Sequence, residues 1–312
     1  MINRTVVVIL LAAVIFSCSP SEKQKNIDSP TAGEITIVAD EAYQPIVQVQ
    51  IDTFMEIYKY AKINVKYLPE AEAFDQFLNN DSIRIAILAR SLTPDEDSFL
   101  VSHKIIPRTL KIAQDAIALV VNKENSDTSF TYEQLGDIMR GKIFKWNQLS
   151  KNKLNDTIRI VFDRSGSSNA RFLSERFLNG QKFPSNFYAT NSNADVVEYV
   201  SKNKGSLGII SVNWISDGDD SIAGEFLKKI KVVALSMPDT SHTAAEYNQP
   251  YQAYIALKKY PLLRDVYIIN REGRNGLGTG FASFVAGDKG QRLIRLMGLL
   301  PATMPIRIIQ VN

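Results

Sequence analysis

The sequence predicts an α/β protein of two lobes, each with a mixed, mostly parallel sheet flanked by helices. Strand-like and helix-like segments alternate from Glu34 onward, a pattern typical of parallel sheets covered by helices. The chain has 312 residues, enough for two domains at roughly 150 residues each. Hydrophobic residues make up 45% and charged residues 22%, as in an ordinary globular protein with a buried core.

Short apolar, often β-branched runs between polar segments predict the strands. In chain order they are Ile35–Ala39, Ile63–Leu68, Ile83–Ala89, Ile105–Ile112, Ala116–Asn122, Ile158–Phe162, Leu207–Ser211, Lys231–Leu235, Ala253–Leu257 and Val266–Ile269. A last extended stretch is expected to run to Asn312.

Apolar side chains at helical spacing, together with capping residues, predict the helices. Pro45 suits the first turn of one helix, and Thr131 and Gln134 form a capping box for another, which Gly141 ends. The predicted helices are Gln44–Tyr60, Glu70–Leu78, Pro94–Val101, Tyr132–Arg140, a helix ending at Leu178, Asn193–Lys202, Gly280–Ala286 and Lys289–Gly298. We predict a polar loop over Ser216–Gly224.

Charge and scarce residues exclude several functions. Lys and Arg total 36 against 33 Asp and Glu, so no large basic excess favours nucleic-acid binding. One Cys cannot form an internal disulfide, and two isolated His residues do not suggest a zinc site. We therefore expect no metal, no other cofactor and no nucleic-acid partner.

The N-terminus has the pattern of a signal peptide. Arg4 precedes the apolar run Val6–Phe16, which is shorter than the about 20 residues of a membrane-spanning helix. Ser17 and Cys18 follow this run, and Ile15–Cys18 resembles a bacterial lipobox. This resemblance implies cleavage before Cys18 and a lipid on its sulfur; an ordinary secretory signal is the alternative. Residues 19–33 are polar and predict a flexible tether.

The segment Val161–Phe172 contains the most informative turn. A strand ends there, and a Ser/Gly/Asn turn opens a helix. Its backbone N–H groups, hydroxyls and Arg164 could hold an oxyanion. Ordinary N-capping by Ser and Asn explains the same residues equally well.

Four segments carry a recognisable pattern: Ile117–Asn122, Leu135–Asn147, Gly205–Ile210 and Gln291–Pro301. Together they resemble periplasmic phosphate-binding proteins that serve ATP-driven phosphate importers. Leu135–Asn147 resembles that family's "L-x-x-I-F-x-G-K-I-x-x-W-N" segment, and Ile117–Asn122 its strand crossing between lobes. Gly205–Ile210 resembles its "G-A-I-G-Y" strand, and Gln291–Pro301 its C-terminal "G-Q-x-x-x-x-x-x-G-x-x-P". The segments occur in the family order.

The resemblance implies a type 2 periplasmic-binding-protein fold with two hinge crossings. Residues 1–17 would be the signal peptide, 18–33 the tether, 34–117 with 251–312 the first lobe, and 118–250 the second.

The protein would be a monomeric bacterial envelope lipoprotein that faces the periplasm and contacts the membrane through its lipid alone. Its ligand would be phosphate or another small anion, and its protein partner an ABC-transporter permease or another envelope protein. We predict no enzymatic activity.

The site that the resemblance implies departs from the family pattern in its charges. Asp163 stands where the family's ion-binding Arg is expected, with Arg164 one residue later, and Arg90 stands where an Asp is usual. The predicted ligand-binding residues are Glu41, Ala42, Tyr43, Glu72, Arg90, Ser91, Asp163, Arg164, Ser165, Gly166, Ser167, Ser168 and Asn169.

Two hypotheses for the exchanged charges remain open at this point. Arg90 and Arg164 could bind an anion, with the acids orienting them. Alternatively, Arg90 could pair with Asp163 across the cleft, as a latch or as part of a zwitterionic ligand site.

The leading function is capture of phosphate or a related oxyanion for transport. The alternative is a binding-protein fold reused as an interaction or accessory module with a degenerate anion site.

Overall fold

The computed structural model describes residues 28–149, 155–216, 221–238 and 246–303. Cys18, the tether up to residue 27 and the predicted extended end beyond Thr303 lie outside these residues. In the described residues the main sheet has ten strands, and its central order is β2-β1-β3-β12-β4-β8-β6-β7. The strands are β1 Ala32–Asp40, β2 Tyr60–Leu68, β3 Ile83–Leu88, β4 Arg108–Asn122, β5 Ser129–Phe130, β6 Arg159–Phe162, β7 Phe187–Ala189, β8 Ser206–Ser211, β9 Ile230–Val232, β10 Ala234–Ser236, β11 Tyr247–Asn248, β12 Leu263–Asn270 and β13 Leu300–Pro301.

Helices cover this sheet, as the sequence alternation predicts. They are α1 Gln44–Ile57, α2 Glu70–Asn79, α3 Pro94–Ser102, α4 Tyr132–Met139, α5 Ser168–Leu173, α6 Asn193–Lys202, α7 Ser221–Lys229, α8 Gln252–Ala256, α9 Leu277–Ala286 and α10 Asp288–Leu296. Thr131 and Gln134 form the predicted capping box of α4, and Gly141 follows that helix with φ +72°. None of the helices described is long and apolar enough to cross a bilayer.

The two lobes share one long strand. Around β2-β1-β3-β12 lies the first lobe, and around β8-β6-β7 the second. The N-terminal half of β4 pairs with β12 from Arg108 to Ala116, and its C-terminal half pairs with β8 from Ile117 to Val121. The two-lobed mixed α/β fold is thus confirmed. The exact lobe boundaries stay a prediction, because β4 runs through position 117 without a break.

Four local predictions are wrong. The predicted strand Lys231–Leu235 is divided between β9 and β10, because β9 pairs with β4 whereas β10 pairs with β5 in a separate sheet. Ile105–Ile112 and Ala116–Asn122 are not two strands, because β12 pairs across the polar residues between them and Arg108–Asn122 forms the single strand β4. Ala253–Leu257 lies mostly in the short helix α8, since a five-residue apolar run fits either structure. The predicted loop Ser216–Gly224 is partly helical, because α7 begins at Ser221.

Close packing between the second sheet and α6 fixes the strand that leads to the site. Gly208 of β8 faces this helix, and a Cβ there would lie 2.7 Å from a methyl group of Val200 and 2.8 Å from one of Val120. Only glycine permits this approach. Trp146 is fully buried, and its Nε1 donates to the Gly205 carbonyl at 3.0 Å, a structural role near the same strand.

Candidate ligand-binding site

Segments from both lobes meet at the carboxyl ends of β1, β6 and β8, the usual place for a ligand in an α/β sheet. After β1 the chain forms a short 3-10 helix at Glu41–Tyr43. The Ala42 carbonyl there accepts hydrogen bonds from Asn213 Nδ2 at 3.2 Å and Trp214 Nε1 at 3.1 Å. The lobes are therefore in direct contact.

Asp163 lies at the centre of the turn after β6. It is 2% exposed, and its Oδ1 accepts from Ser167 Oγ at 2.5 Å. Its Oδ2 accepts from Asn169 Nδ2 at 3.0 Å and from Asn193 Nδ2 at 3.2 Å. The side-chain donors of the turn are thus engaged by a carboxylate of the protein itself. Ser167 Oγ also accepts from the Ala170 N–H, so the predicted N-capping is present as well.

A buried arginine contributes the positive charge of the site. Arg264 of β12 donates through Nε to Asp115 Oδ2 at 2.8 Å and through Nη1 to Ser168 Oγ at 2.9 Å. Its Nη2 lies 2.8 Å from Asp115 Oδ2 as an ion pair but is not aligned for a hydrogen bond, and it has no hydrogen-bond partner. Burial lowers the pKa of Arg264, but Tyr43, Asp115 and Asp40 outweigh that effect and raise it, so the guanidinium stays charged.

Two acids, Asp40 and Glu41, lie at the carboxyl end of β1. Asp40 is fully buried; its Oδ1 accepts from the Ala42 N–H at 3.1 Å, and its Oδ2 has no hydrogen-bond partner. Burial, and then the nearby Glu70 charge, raise the pKa of Asp40 to about 7. Glu41 Oε2 accepts from Asn193 Nδ2 at 2.7 Å, and burial raises the pKa of Glu41 to about 7.

A buried ion pair joins the lobes beside these acids. Glu70 at the start of α2 accepts from Arg171 Nε of α5 at 2.5 Å. Its other oxygen accepts from the Ala89 N–H at 2.9 Å and from Arg171 Nη2 at 3.2 Å. One residue further along α2, the Ala71 N–H donates to the Gly166 carbonyl at 3.1 Å. These bonds hold the turn after β6 against α2.

The structure brings together seven of the predicted site residues as buried or half-buried groups: Glu41, Ala42, Tyr43, Asp163, Ser167, Ser168 and Asn169. The Arg264 guanidinium carbon lies 5.1 Å from the centroid of the Tyr43 ring, and the Tyr43 hydroxyl has no hydrogen-bond partner. The remaining predicted residues lie at the rim or elsewhere.

Arg164, Ser165 and Gly166 are exposed on the turn, and Arg164 Nε donates to the Asn191 carbonyl at 3.0 Å. Glu72 and Ser91 are exposed too. Whether these five residues bind ligand remains a prediction.

Arg90 does not pair with Asp163. Its guanidinium makes a two-pronged pair with Glu96, at 2.7 and 2.9 Å, and stacks over the Phe74 ring at 4.2 Å. Glu96 is held there by the capping box that Thr93 forms at the start of α3. The hypothesis of an Arg90–Asp163 latch is therefore wrong.

The predicted ligand-binding residues leave out several groups of this cluster: Asp40, Glu70, Asp115, Arg171, Asn193 and Arg264. A signal existed for two of them. Asp115 and Arg264 are charged residues inside otherwise apolar strand runs, on faces that periodicity assigns to the interior. A buried charge of this kind requires a partner or a function. In the part of the chain described, no cluster of three or more acidic, His or Cys side chains is arranged to hold a metal ion.

Comparisons with known proteins agree with this architecture. The chain is 24% identical over 287 residues to the phosphate-binding protein PstS of Staphylococcus epidermidis, covering 91% of this chain and 82% of the relative. It is 26% identical over 268 residues to PstS of Staphylococcus aureus strain USA300, covering 85% and 77%.

Two solved structures show the same fold. One is an ABC-type phosphate transport receptor from Vibrio cholerae, with a TM-score of 0.62, 22% identity and coverage of 86% of this chain and 100% of that one. The other is a phosphate-binding protein from Stenotrophomonas maltophilia, with a TM-score of 0.64, 15% identity and coverage of 87% and 91%.

Residues 25–289 match the family described as the PBP superfamily domain, which is most of the chain. The resemblance found in the sequence motifs is thus confirmed for family and fold. The chain belongs to the PBP superfamily.

Proposed function

We propose that the protein is an extracytoplasmic solute-binding protein that captures phosphate or a related oxyanion between its lobes and is not an enzyme. The observation that carries this proposal is Arg264. Its buried guanidinium lies beside Ser168, and Nη2 has no hydrogen-bond partner. A desolvated guanidinium with free N–H groups is a strong oxyanion donor. The relatives in Staphylococcus, named as phosphate-binding proteins, support the choice of ligand.

Isothermal titration calorimetry of residues 28–312 with phosphate tests the proposal. We expect one phosphate per chain and a dissociation constant in the micromolar range or below, equivalent to about 8 kcal/mol of binding free energy. Sulfate serves as the matched oxyanion, because it is tetrahedral but carries no proton near neutral pH. Absence of heat with phosphate and with sulfate, both near pH 6 and near pH 8, would exclude oxyanion capture.

We also propose that Cys18 carries a lipid that anchors the mature protein in the bacterial envelope, where it delivers its ligand to an ABC-transporter permease. The Val6–Phe16 run and the single Cys support this anchor. Full-length protein expressed in bacteria with a labelled fatty acid should incorporate the label, whereas the Cys18→Ser variant should not. Equal labelling of the two proteins would contradict the anchor.

A second candidate function, an accessory module with a degenerate anion site, is favoured by one observation. Asp163 already holds the donors of the turn, which a bound oxyanion would need. The calorimetry above separates the two candidates, because a degenerate site gives no phosphate heat at any pH.

A further inference from the structure

The polar hydrogens around Asp163 are fully used by the protein. The Ser167 hydroxyl has one hydrogen, which it donates to Asp163. Asn169 Nδ2 has two, which go to Asp163 and to Asn193 Oδ1 at 3.1 Å. Asn193 Nδ2 gives its two to Asp163 and Glu41. An oxyanion can gain these donors only if it displaces a carboxylate.

The net charge of the cluster also opposes the binding of an anion. In the described residues five carboxyl groups lie buried or half-buried there: Asp40, Glu41, Glu70, Asp115 and Asp163. The guanidinium groups of Arg171 and Arg264 face them, and the exposed Arg164 acts on Glu41 from the rim. With every group ionised, the interior carries more negative than positive charge. Entry of an anion is then unfavourable by simple Coulomb repulsion.

Protonation would remove both obstacles to anion binding, namely the engaged hydrogen-bond donors and the net negative charge. A protonated carboxyl is neutral and becomes a hydrogen-bond donor. Asp40 Oδ2 and Asn169 Oδ1 are also buried in this cluster as acceptors without a hydrogen-bond partner. Burial raises the pKa of Asp163 to about 7, against the lowering effect of its bond from Ser167. Uptake of a proton therefore falls near neutral pH.

We propose that oxyanion capture in this cleft is coupled to proton uptake at Asp163, whose carboxylate accepts the hydrogen bonds that an oxyanion would need. On binding, a proton from solvent forms an O–H bond on Asp163. Ser167, Asn169 and Asn193 then turn their hydrogens to the ligand, and the protonated carboxyl donates to it. This inference rests on the proposed function and adds the protonation state in which the site accepts its ligand.

The direction of the pH effect follows from linkage. Above about pH 7 the Asp163 carboxylate is charged and must be protonated for binding, whereas below that pH it is already neutral. One linked proton weakens binding about tenfold per pH unit on the alkaline side. We therefore expect sulfate and phosphate affinity to fall as the pH rises from about 7 to about 8.5.

Calorimetry in two buffers with different ionisation enthalpies counts the protons taken up per ligand. We expect uptake by the wild-type protein near pH 8, and about one proton less for Asp163→Asn. In that variant only one side-chain oxygen can accept, so either the Ser167 hydrogen or those of Asn169 and Asn193 are free for the ligand. Its phosphate affinity near pH 8.5 should rise about tenfold or more.

Asp288→Asn is the control, since Asp288 is exposed at the start of α10 and should leave proton uptake unchanged. Equal proton uptake by the wild type and Asp163→Asn would overturn the coupling while leaving oxyanion binding intact. A sulfate affinity of the wild-type protein that does not change with pH would also overturn the coupling, and this measurement needs no variant. Failure of both proteins to bind either anion at any pH would overturn the proposed function and the coupling together.

Discussion

Replacing Arg264 by methionine is expected to lower the free energy of unfolding by about 3–5 kcal/mol, the cost of removing one partner of a buried ion pair. The Arg264 side chain is 2% exposed and that of Asp115 is 0% exposed, so no water can replace the guanidinium around the carboxylate. Methionine fills much of the same volume, which limits the contribution of a cavity. Chemical denaturation followed by circular dichroism measures the change.

The same substitution should weaken phosphate binding by about 100-fold or more, equivalent to about 3 kcal/mol. The Nη2 atom that has no partner within the protein is lost with the guanidinium, and so is the donor to Ser168. Calorimetry at low pH gives the comparison, because the acids of the cluster are then least charged. Unchanged affinity in a folded Arg264→Met protein would show that the oxyanion lies elsewhere.

Two further variants separate stability from binding. Arg264→Met combined with Asp115→Asn removes both charges and should recover much of the lost stability but none of the affinity. Arg274→Met is the matched control, since Arg274 is 65% exposed and pairs with Asp28 at the surface. Such a pair contributes about 0–1 kcal/mol, so we expect little change in either measurement.

The sequence predicted the fold well because its signals are local. Alternating apolar runs give β1 to β3, and a capping box gives α4 within one residue of its observed end. The exceptions are equally local in origin. The run at Ala253–Leu257 is too short for its period to distinguish a strand from α8. The polar residues within β4 look like a break until β12 is known to pair with them.

The site was predicted only as far as neighbouring residues define it. The turn from Asp163 to Asn169 is contiguous in sequence and was identified as a unit. Its partners come from distant strands and helices: Arg264 meets Ser168 from 96 residues away, and Glu70 meets Arg171 from 101. Sequence spacing carries no information about such contacts. The hypothesis of an Arg90–Asp163 pair was wrong because the capping box at the start of α3 places Glu96 beside Arg90, a role of Glu96 that the sequence does not reveal.

The Glu70–Arg171 pair explains how charge can hold the two lobes together. Glu70 belongs to α2 of the first lobe and Arg171 to α5 of the second, and the Glu70 carboxylate is 2% exposed. Separation of the lobes would return both groups to water. An intact pair therefore favours the closed arrangement, whereas an unpaired Glu70 favours opening, because opening relieves the cost of burying its charge.

Arg171→Met should accordingly shift the lobes toward an open arrangement and weaken phosphate binding about tenfold to 100-fold. This range corresponds to roughly 1.4–3 kcal/mol, below the full cost of an unpaired buried charge because opening rehydrates Glu70. Small-angle scattering of the ligand-free variant should show a larger radius of gyration than the wild type. Saturating phosphate should bring the two values together, since ligand binding favours closure.

Glu175→Gln provides the control for this effect. Glu175 is 63% exposed and also pairs with Arg171, one helical turn away, but it does not reach the first lobe. Its loss should alter neither the radius of gyration nor the affinity, because an exposed pair at this spacing contributes only about 0.3–0.5 kcal/mol. If Glu175→Gln opened the protein as much as Arg171→Met, the effect would come from the local structure of α5. If neither variant opened it, the Glu70–Arg171 pair would not be what holds the lobes together, and the other bonds between them, such as those to Ala42 and Gly166, would be sufficient.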